Sequence, residues 1–430
     1  MTQLPNGWTL TSIADIATFN PKTIADDSLN CAFAPMQYLG TRFLAQMNYE
    51  QRTWGEIKKS YVHFQTGDVI VAKVTPCFEN GKAGIAPHLP NGIGAGSSEF
   101  CVFRPAQGID KRYLLAWLST ENFRKRATVA MTGSVGLKRV PKEVFLSEEI
   151  PLAPEAEQRR IADKLDTTLA RVDALNDRLA RITPLLKRFR QSVLAAATSG
   201  RLTEDWVLQY SLPEAHQCTL KEVIKVSSGD GLTAKNMNSD GGIPVFGGNG
   251  INGYHDQHNV NESTIVIGRV GYYCGSVHLT PEKAWVTDNA LKVAYDKQYI
   301  NKKFLYYSLL GNDLRKNVSS TAQPVISGQK IYSLPFRLPV IEEQTEIVRR
   351  VETLFAFADR LEARLQSAQT AAERLTPALL AKAFRGELVP QDPNDEPAAE
   401  LLRRLREARA ADTASKPKRG RAAKAPTVSE

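Results

Sequence analysis

Residues 157–179, EQRRIADKLDTTLARVDALNDRL, return as EQTEIVRRVETLFAFADRLEARL at residues 343–365. The offset, 343 − 157 = 186, is constant: Glu157 falls on Glu343, Gln158 on Gln344, Ile161 on Ile347 and Asp173 on Asp359. It still holds at Gly200-Arg-Leu202 and Gly386-Glu-Leu388. An internal repeat of this kind restricts the fold more than any local propensity. Weaker echoes precede each copy. Ile109–Leu115 (IDKRYLL) resembles Ile300–Tyr306 (INKKFLY), Arg124-Lys125 matches Arg315-Lys316, and Val69–Val74 (VIVAKV) resembles Ile265–Val270 (IVIGRV). The predicted plan is a globular part and a helix, followed by a second globular part and a second helix. Residues 1–153 and 201–338 are the globular parts, 154–200 and 339–390 the helices. Residues 391–430, rich in Ala, Pro and charge, read as a helical end followed by a disordered tail.

Apolar residues recur every seven positions in the repeated segments. In the first copy one row is Leu165, Val172, Leu179, Leu186 and Val193; the other is Ile161, Thr168, Leu175, Ile182, Phe189 and Ala196. In the second the rows are Val351, Ala358, Leu365, Ala372, Leu379 and Ile347, Leu354, Leu361, Ala368, Leu375, Lys382. A sustained heptad of this form is a coiled-coil signature. Two such helices in one chain are expected to pair with each other, antiparallel because a globular part lies between them. Lys164, Arg171, Arg178, Arg349, Arg350 and Arg364 leave the outer face charged. Pro184 and Pro377 each follow a threonine. Thr suits an N-cap and Pro the first helical position, so a break or kink is expected at each. The stretch before Pro184 is about 33 Å long, and with its continuation roughly 50 Å, the scale of a ruler between two domains.

Both globular parts read as mixed α/β. Strands are predicted at Asp68–Val74, Phe100–Phe103, Ser263–Val270 and Ala290–Ala294, and helices at Lys111–Thr120 and Asn301–Leu310. Long loops are predicted at Pro76–Gly96 and Ser227–Asn261. The second contains Phe246-Gly-Gly-Asn-Gly-Ile-Asn-Gly253, which spells G-x-G-x-x-G and imitates the F-x-G-x-G of methyltransferases that bind S-adenosylmethionine. A dinucleotide fingerprint must open a helix and be followed by an acidic residue about 20 positions on. Here neither follows. The catalytic N-P-P-Y type loop of a methyltransferase is missing too; Asn20-Pro-Lys22 is the nearest stretch. The better reading is a loop whose Asn249, Asn252, Tyr254, His255 and Gln257 offer hydrogen bonds to base edges. Glu56-Ile-Lys58 imitates a nuclease E-x-K without an upstream strand aspartate, and His255 with His258 lacks a third metal ligand. No G-x-x-x-x-G-K-[ST] occurs. The sequence thus offers no catalytic constellation and no metal site.

The formal net charge is +9, which modestly favours a polyanionic partner. Part of the excess sits at Lys416, Lys418, Arg419, Arg421 and Lys424. The five cysteines form no C-x-x-C, no apolar run reaches the roughly 18 residues of a membrane span, and MTQLPNGWTL is not a signal peptide. A cytoplasmic location and no membrane partner are expected.

Several motifs carry a family resemblance. Leu4-Pro-Asn-Gly-Trp8 with Ile13-Ala-Asp-Ile16 resembles the start of the specificity subunits of type I restriction–modification systems. Pro151-Leu-Ala-Pro154 to Glu157-Gln-Arg-Arg-Ile161 resembles the beginning of that family's spacer helix; the second copy, Pro339 to Gln344, lacks the second proline. Leu379 to Leu388 resembles the helix exit, and Pro244–Gly250 with Gly253-Tyr254 a loop of the second recognition domain. The likeness covers residues 1–390. It implies tandem α/β (α+β) target recognition domains, separated by an antiparallel coiled coil in a pseudo-twofold repeat. It further implies a non-catalytic reader of a bipartite, asymmetric double-stranded DNA target that docks two modification subunits and restriction subunits. This chain would then hold no cofactor; S-adenosylmethionine, ATP and Mg would belong to the partners. A scaffold that pairs proteins through its coiled coil without reading DNA is the alternative.

Cations near phosphates supply affinity, whereas groups at base edges supply discrimination. Lys73 and Arg269, on equivalent strand ends, are the expected phosphate contacts. Ser134, Lys138 and Arg139 in the first part, and Gln323, Ser327, Gln329 and Lys330 in the second, are the expected readers alongside Asn249, Asn252 and Tyr254. Arg or Lys suits guanine and Gln or Asn adenine. The expected coiled-coil contacts are Ile161, Leu165, Val172, Leu175, Leu179, Ile182, Ile347, Val351, Leu354, Leu361 and Leu365.

Overall fold

The computed structural model describes residues 4–312, 314 and 324–415. It divides into two compact units, residues 1–178 with 368–430, and residues 179–367. Each unit holds one globular part and a part of each long helix.

In unit 1 the predicted strand Val69–Ala72 is buried on both faces, as its unbroken apolar run requires. It sits between Phe100–Pro105 and Ala83–Ile85, and Ala17–Phe19 completes an antiparallel four-stranded sheet. A second sheet runs in the order Glu50–Thr53, Asn30–Ala34, Ile93–Gly96, Val62–Gln65. Its central pair is parallel. Thr9–Ser12 pairs with Glu149–Leu152 and brings the two ends of the globular part together.

Unit 2 repeats this plan. Ile224–Ser228, Ala290–Tyr295, Ile265–Gly268 and Val277–Leu279 form the antiparallel four-stranded sheet. Gly250–His255, Ile243–Gly247 and Trp285–Val286 form the second sheet, again with one parallel pair. His216–Thr219 pairs with Pro335–Leu338 as the closing ladder. The long stretches expected as loops are therefore not loops: Pro76–Gly96 contains two strands, and Ser227–Asn261 contains a hairpin.

The first long helix runs unbroken from Glu155 to Ser199, with Pro184 inside it. At 1.5 Å per residue it is about 68 Å long, more than the sequence suggested. The second runs Ile341–Glu373, stops at Arg374, and resumes over Leu375–Ala383. Pro377 lies at the third position of that shorter helix, not the first, and Arg374, not Thr376, is its cap. The break falls there because a proline ring crowds the carbonyl four residues back, here Glu373. At Pro184, where a break or kink was expected, the helix does not break.

Inside unit 1 the start of the first long helix meets the end of the second: Ile161, Leu165 and Leu169 share a core with Leu380 and Ala383. Inside unit 2 the order is reversed, with Val193 and Ala197 in one core with Ile347, Val348 and Val351. The helices thus pair antiparallel in each unit. In unit 2 Arg190 also bonds Asp359 (2.7 Å) and Glu362 (2.8 Å). One heptad row is buried almost throughout in both helices: Leu165, Val172, Leu179, Leu186 and Val193 in the first, and Val351, Ala358, Leu365 and Ala372 in the second. The other is not a seam. Ile161 and Ile347 are buried, Ile182, Leu354 and Leu361 half-buried, and Leu175 exposed, which corrects the expectation for Leu175. Two helices can cover only one stripe of each other, so the flanking row stays partly in water.

The repeated Glu-Gln fastens each long helix to its globular part. Gln158 Oε1 accepts from the Asp110 backbone N (3.1 Å), and its Nε2 donates to Ala153 O (2.9 Å). Asp110 in turn caps the helix Lys111–Leu118. Gln344 does the same for Asn301, the cap of Lys302–Gly311, accepting from its N (2.8 Å) and donating to Pro339 O (2.9 Å) and Tyr299 O (2.8 Å).

The glutamates differ. Buried Glu343 accepts from Thr203 Oγ1 (2.8 Å) and from Arg337 (2.9 Å). Buried Glu157 accepts from Trp8 Nε1 (2.9 Å), while its Oε1 has no partner. Burial pushes the Glu157 carboxyl above the usual carboxylate range. A carboxyl with a raised folded pKa stabilises the fold below its unfolded pKa and loses that contribution as pH rises through the folded value. Glu157→Gln is therefore expected to melt like the wild type near pH 4 and at a higher temperature near pH 8. Thermal denaturation at the two pH values checks this.

The segment after Gln391, expected as a helical end followed by a tail, contains the helix Ala398–Ser415. Ala398, Leu401, Leu402 and Leu405 are buried in the core of unit 1. Arg406 pairs with Asp15 (3.2 Å), and Arg409 donates to the carbonyls of Ala14 and Ala17. Apolar spacings of three and four on one face outweigh the charge of the other. Lys416 to Lys424 lie outside the described residues, as do Arg315 and Lys316.

Candidate nucleic-acid interface

Lys73 follows the central strand Val69–Ala72 of unit 1, half-buried. Its N donates to Glu99 O (2.9 Å) and its carbonyl accepts from Val140 N (2.8 Å). Thr75 N donates to Lys138 O (3.0 Å), and Val74 bridges Arg139. These bonds hold the base of an antiparallel hairpin, Thr132–Ser134 with Leu137–Arg139. Ser134 and Lys138, two of the expected readers, are exposed on it. Arg139 is not available in the same way. Its guanidinium grips Glu99 with three contacts of 2.7–3.0 Å. The Arg139 guanidinium holds the Glu99 carboxyl below the usual range. Arg139, one of the expected readers, therefore also anchors the hairpin through this pair. Glu99 carries no sequence signal that separates it from an ordinary surface acid.

Unit 2 has the same stitching with other side chains. Arg269 N donates to Asn289 O (2.9 Å), Arg269 O accepts from Ile326 N (3.0 Å), Gly271 N donates to Pro324 O (3.0 Å), and Val270 bridges Val325. Lys73 and Arg269 are thus structurally equivalent, as expected, while the Glu99–Arg139 pair is replaced by Asn289 and Val325. Arg269 is exposed. After it, Tyr272 stands 82% exposed with Tyr273 edge-on at 5.0 Å, a pair the sequence reading passed over.

The glycine-rich motif is a hairpin, Ile243–Gly247 with Gly250–His255. Asn249 sits at its exposed turn, and Asn252 and Tyr254 are exposed along its second strand. The glycines serve close approach: a Cβ on Gly248 would lie 2.8 Å from Val270 O, and Gly250 has φ +86. No phosphate is needed to explain them. His255 packs edge-on against Trp285.

The other expected readers of unit 2 lie elsewhere. Ser327 caps the short helix Gly328–Tyr332, accepting from Lys330 N (3.4 Å), and Gln329 and Lys330 are on that helix rather than in a loop. Its counterpart in unit 1 is Lys142–Leu146, beyond the hairpin. Gln323 lies outside the described residues.

Glu56 closes a capping box with Thr53, and Lys58 pairs with Asp27 (2.5 Å), so the E-x-K is a helix start. A cavity of about 550 Å³ in unit 1 is lined by Asp68, Arg104, Asp110 and Arg112. The charges of these four are matched: Arg104 binds Asp68 (2.8 Å), and Arg112 binds Asp110, Asp163 and Asp166. Among the described residues no group of three or more His, Cys, Asp or Glu could hold a metal ion, and no helix is long and apolar enough to cross a membrane.

Residues 5–183 and 214–368 match the type I restriction modification DNA specificity domain. The chain is 36% identical to the type I restriction enzyme EcoAI specificity subunit of Escherichia coli, over 51% of its own length and 37% of that protein's. It is 32% identical to the EcoKI specificity subunit of E. coli K12, over 77% of this chain and 79% of that one. The fold is shared with the HsdS subunit from Thermoanaerobacter tengcongensis (TM-score 0.58, 18% identity, 90% of this chain and 98% of that one). A chain from a type I R-M system complex gives a TM-score of 0.68 at 18% identity, over 90% of this chain and 99% of that one. With two matched domains in tandem, each ending on one of a pair of repeated helices, the chain belongs to the DNA specificity subunits of type I restriction–modification systems.

Proposed function

We propose that each unit reads one half of a bipartite double-stranded DNA target. The observation that carries this is the repeated strand end: the same backbone stitching presents Lys73 in one unit and Arg269 in the other, with different side chains around them. Equivalent cations place the two units on the phosphate backbone alike, while unlike neighbours read unlike bases, so the target is asymmetric. The chain itself is the non-catalytic reader. Modification subunits, two per chain, supply methylation with S-adenosylmethionine, and restriction subunits supply ATP- and Mg-dependent cleavage, in the cytoplasm. Exposed Leu175 and Leu375 in unit 1, and Leu185 and Phe357 in unit 2, give the long helices apolar positions for those partners.

Lys73→Ala and Arg269→Ala are expected to weaken binding of the complex to target and random DNA by the same factor. Each should lower the slope of log K against log salt by about one. Binding titrations at several salt concentrations check this. A change of preferred sequence would move these residues from the phosphate to the bases. A complex with no sequence preference would favour the scaffold reading.

A further inference from the structure

The hairpin Thr132–Arg139 of unit 1 carries two apolar side chains where none is needed for folding. Val135, at the turn, is 98% exposed, and Leu137 is 49% exposed. Every residue from Thr132 to Lys138 is exposed. The hairpin nevertheless has a fixed shape. Its register is Thr132↔Arg139, Gly133↔Lys138 and Ser134↔Leu137. Arg139 is clamped to Glu99, and Gly133 (φ +126) lies where a Cβ would come within 2.6 Å of Leu137 O. Of the cations near it in sequence, Lys125, Arg126 and Arg139 are paired with Glu121, Glu148 and Glu99, while Lys138 stands exposed on the hairpin itself.

A rigid, exposed two-stranded ribbon carrying the cation Lys138 fits the major groove, which is about 12 Å wide. An apolar tip has one complementary feature there, the C5-methyl group of thymine. Ser134 and Leu137 stand opposite each other beside that tip, so a hydroxyl and an apolar group lie on either side of it. On the reading that unit 1 binds DNA, we infer that this hairpin enters the major groove and that Val135, flanked by Leu137, recognises a thymine methyl in the first half-site.

The test uses the full complex with its modification subunits. The probes are duplex oligonucleotides carrying the methylated target, with each thymine of the half-site replaced in turn by deoxyuridine, which removes only the methyl. One buried CH₂-sized group carries ~0.8 kcal/mol, so one such replacement should weaken wild-type binding about fourfold. Val135→Ala should bind the thymine target more weakly by a similar factor and no longer distinguish thymine from deoxyuridine at that position. Deoxyuridine in the other half-site should leave the difference between wild type and variant unchanged. Three results would overturn the assignment: a half-site without thymine on either strand, wild-type binding indifferent to every replacement, or Val135→Ala retaining full sensitivity. Loss of subunit assembly in Val135→Ala with DNA discrimination intact would instead make the tip a protein contact. Failure of the wild-type complex to prefer any sequence would sink the DNA-reading function itself, a separate result.

Discussion

Gln344→Ala is expected to destabilise unit 2 by about 3 kcal/mol, because three hydrogen bonds to backbone groups, one buried and two part-buried, are lost at once. Those groups are Asn301 N, Pro339 O and Tyr299 O. Each unsatisfied group costs roughly 1–3 kcal/mol, discounted here for relaxation. Gln158→Ala, which frees only Asp110 N and Ala153 O, should cost less, about 2 kcal/mol. Gln344→Glu keeps the acceptor for Asn301 N and should fall between wild type and alanine. Urea denaturation of the three variants checks the order. A loss below about 1 kcal/mol for Gln344→Ala would mean that water or a shifted helix replaces the amide. This fastening also matters for function, since it joins the helix to the cap of Lys302–Gly311 and so sets how rigidly the globular part rides on its spacer.

Removing one heptad from each long helix, residues 186–192 and 354–360, is expected to abolish recognition of the original target and create a new one with a shorter gap. The paired deletion takes Leu186 and Ala358 from the buried row and brings Val193 and Leu365 into their registers. Arg190 and its partner Asp359 leave together. The coiled coil should therefore persist while becoming about 10 Å shorter. At 3.4 Å per base pair that is at most about three base pairs, fewer if the helices run obliquely to the DNA. Specific affinity for the original site should fall toward the non-specific level, a loss on the order of a thousandfold or more. Methylation mapping in cells carrying the deletion reads both effects. Unchanged modification of the original target would contradict the ruler role of the helices.

The parts of the fold legible in the sequence were those with a long period or an unbroken apolar run. The repeat, the heptads and the strands at Val69–Ala72, Phe100–Pro105, Ile265–Gly268 and Ala290–Tyr295 all lie within or beside the predicted ranges. Three-residue strands such as Ala83–Ile85 carry no period to detect, so the stretches around them read as loops. The helical end expected after residue 391 is the helix Ala398–Ser415, but its docking into the core through Leu401, Leu402 and Leu405 depends on tertiary contacts that composition does not carry. The site was legible only in its charges. That Lys73 and Arg269 are equivalent follows from sequence alignment of the two copies. That Arg139 is spent on Glu99, forty residues away, depends on tertiary pairing that no local pattern carries. Likewise Val135 and Tyr272 become notable only once their exposure is known.

The central claim is that this chain gives a modification enzyme its bipartite target. Base-resolution methylation sequencing of source cells, with this gene intact and then deleted, tests it most directly. The expected result is adenine methylation at one split, asymmetric motif in the intact strain and its complete loss on deletion. A split motif that stays methylated without the gene, or none in the intact strain when the modification subunits are expressed, would contradict the claim.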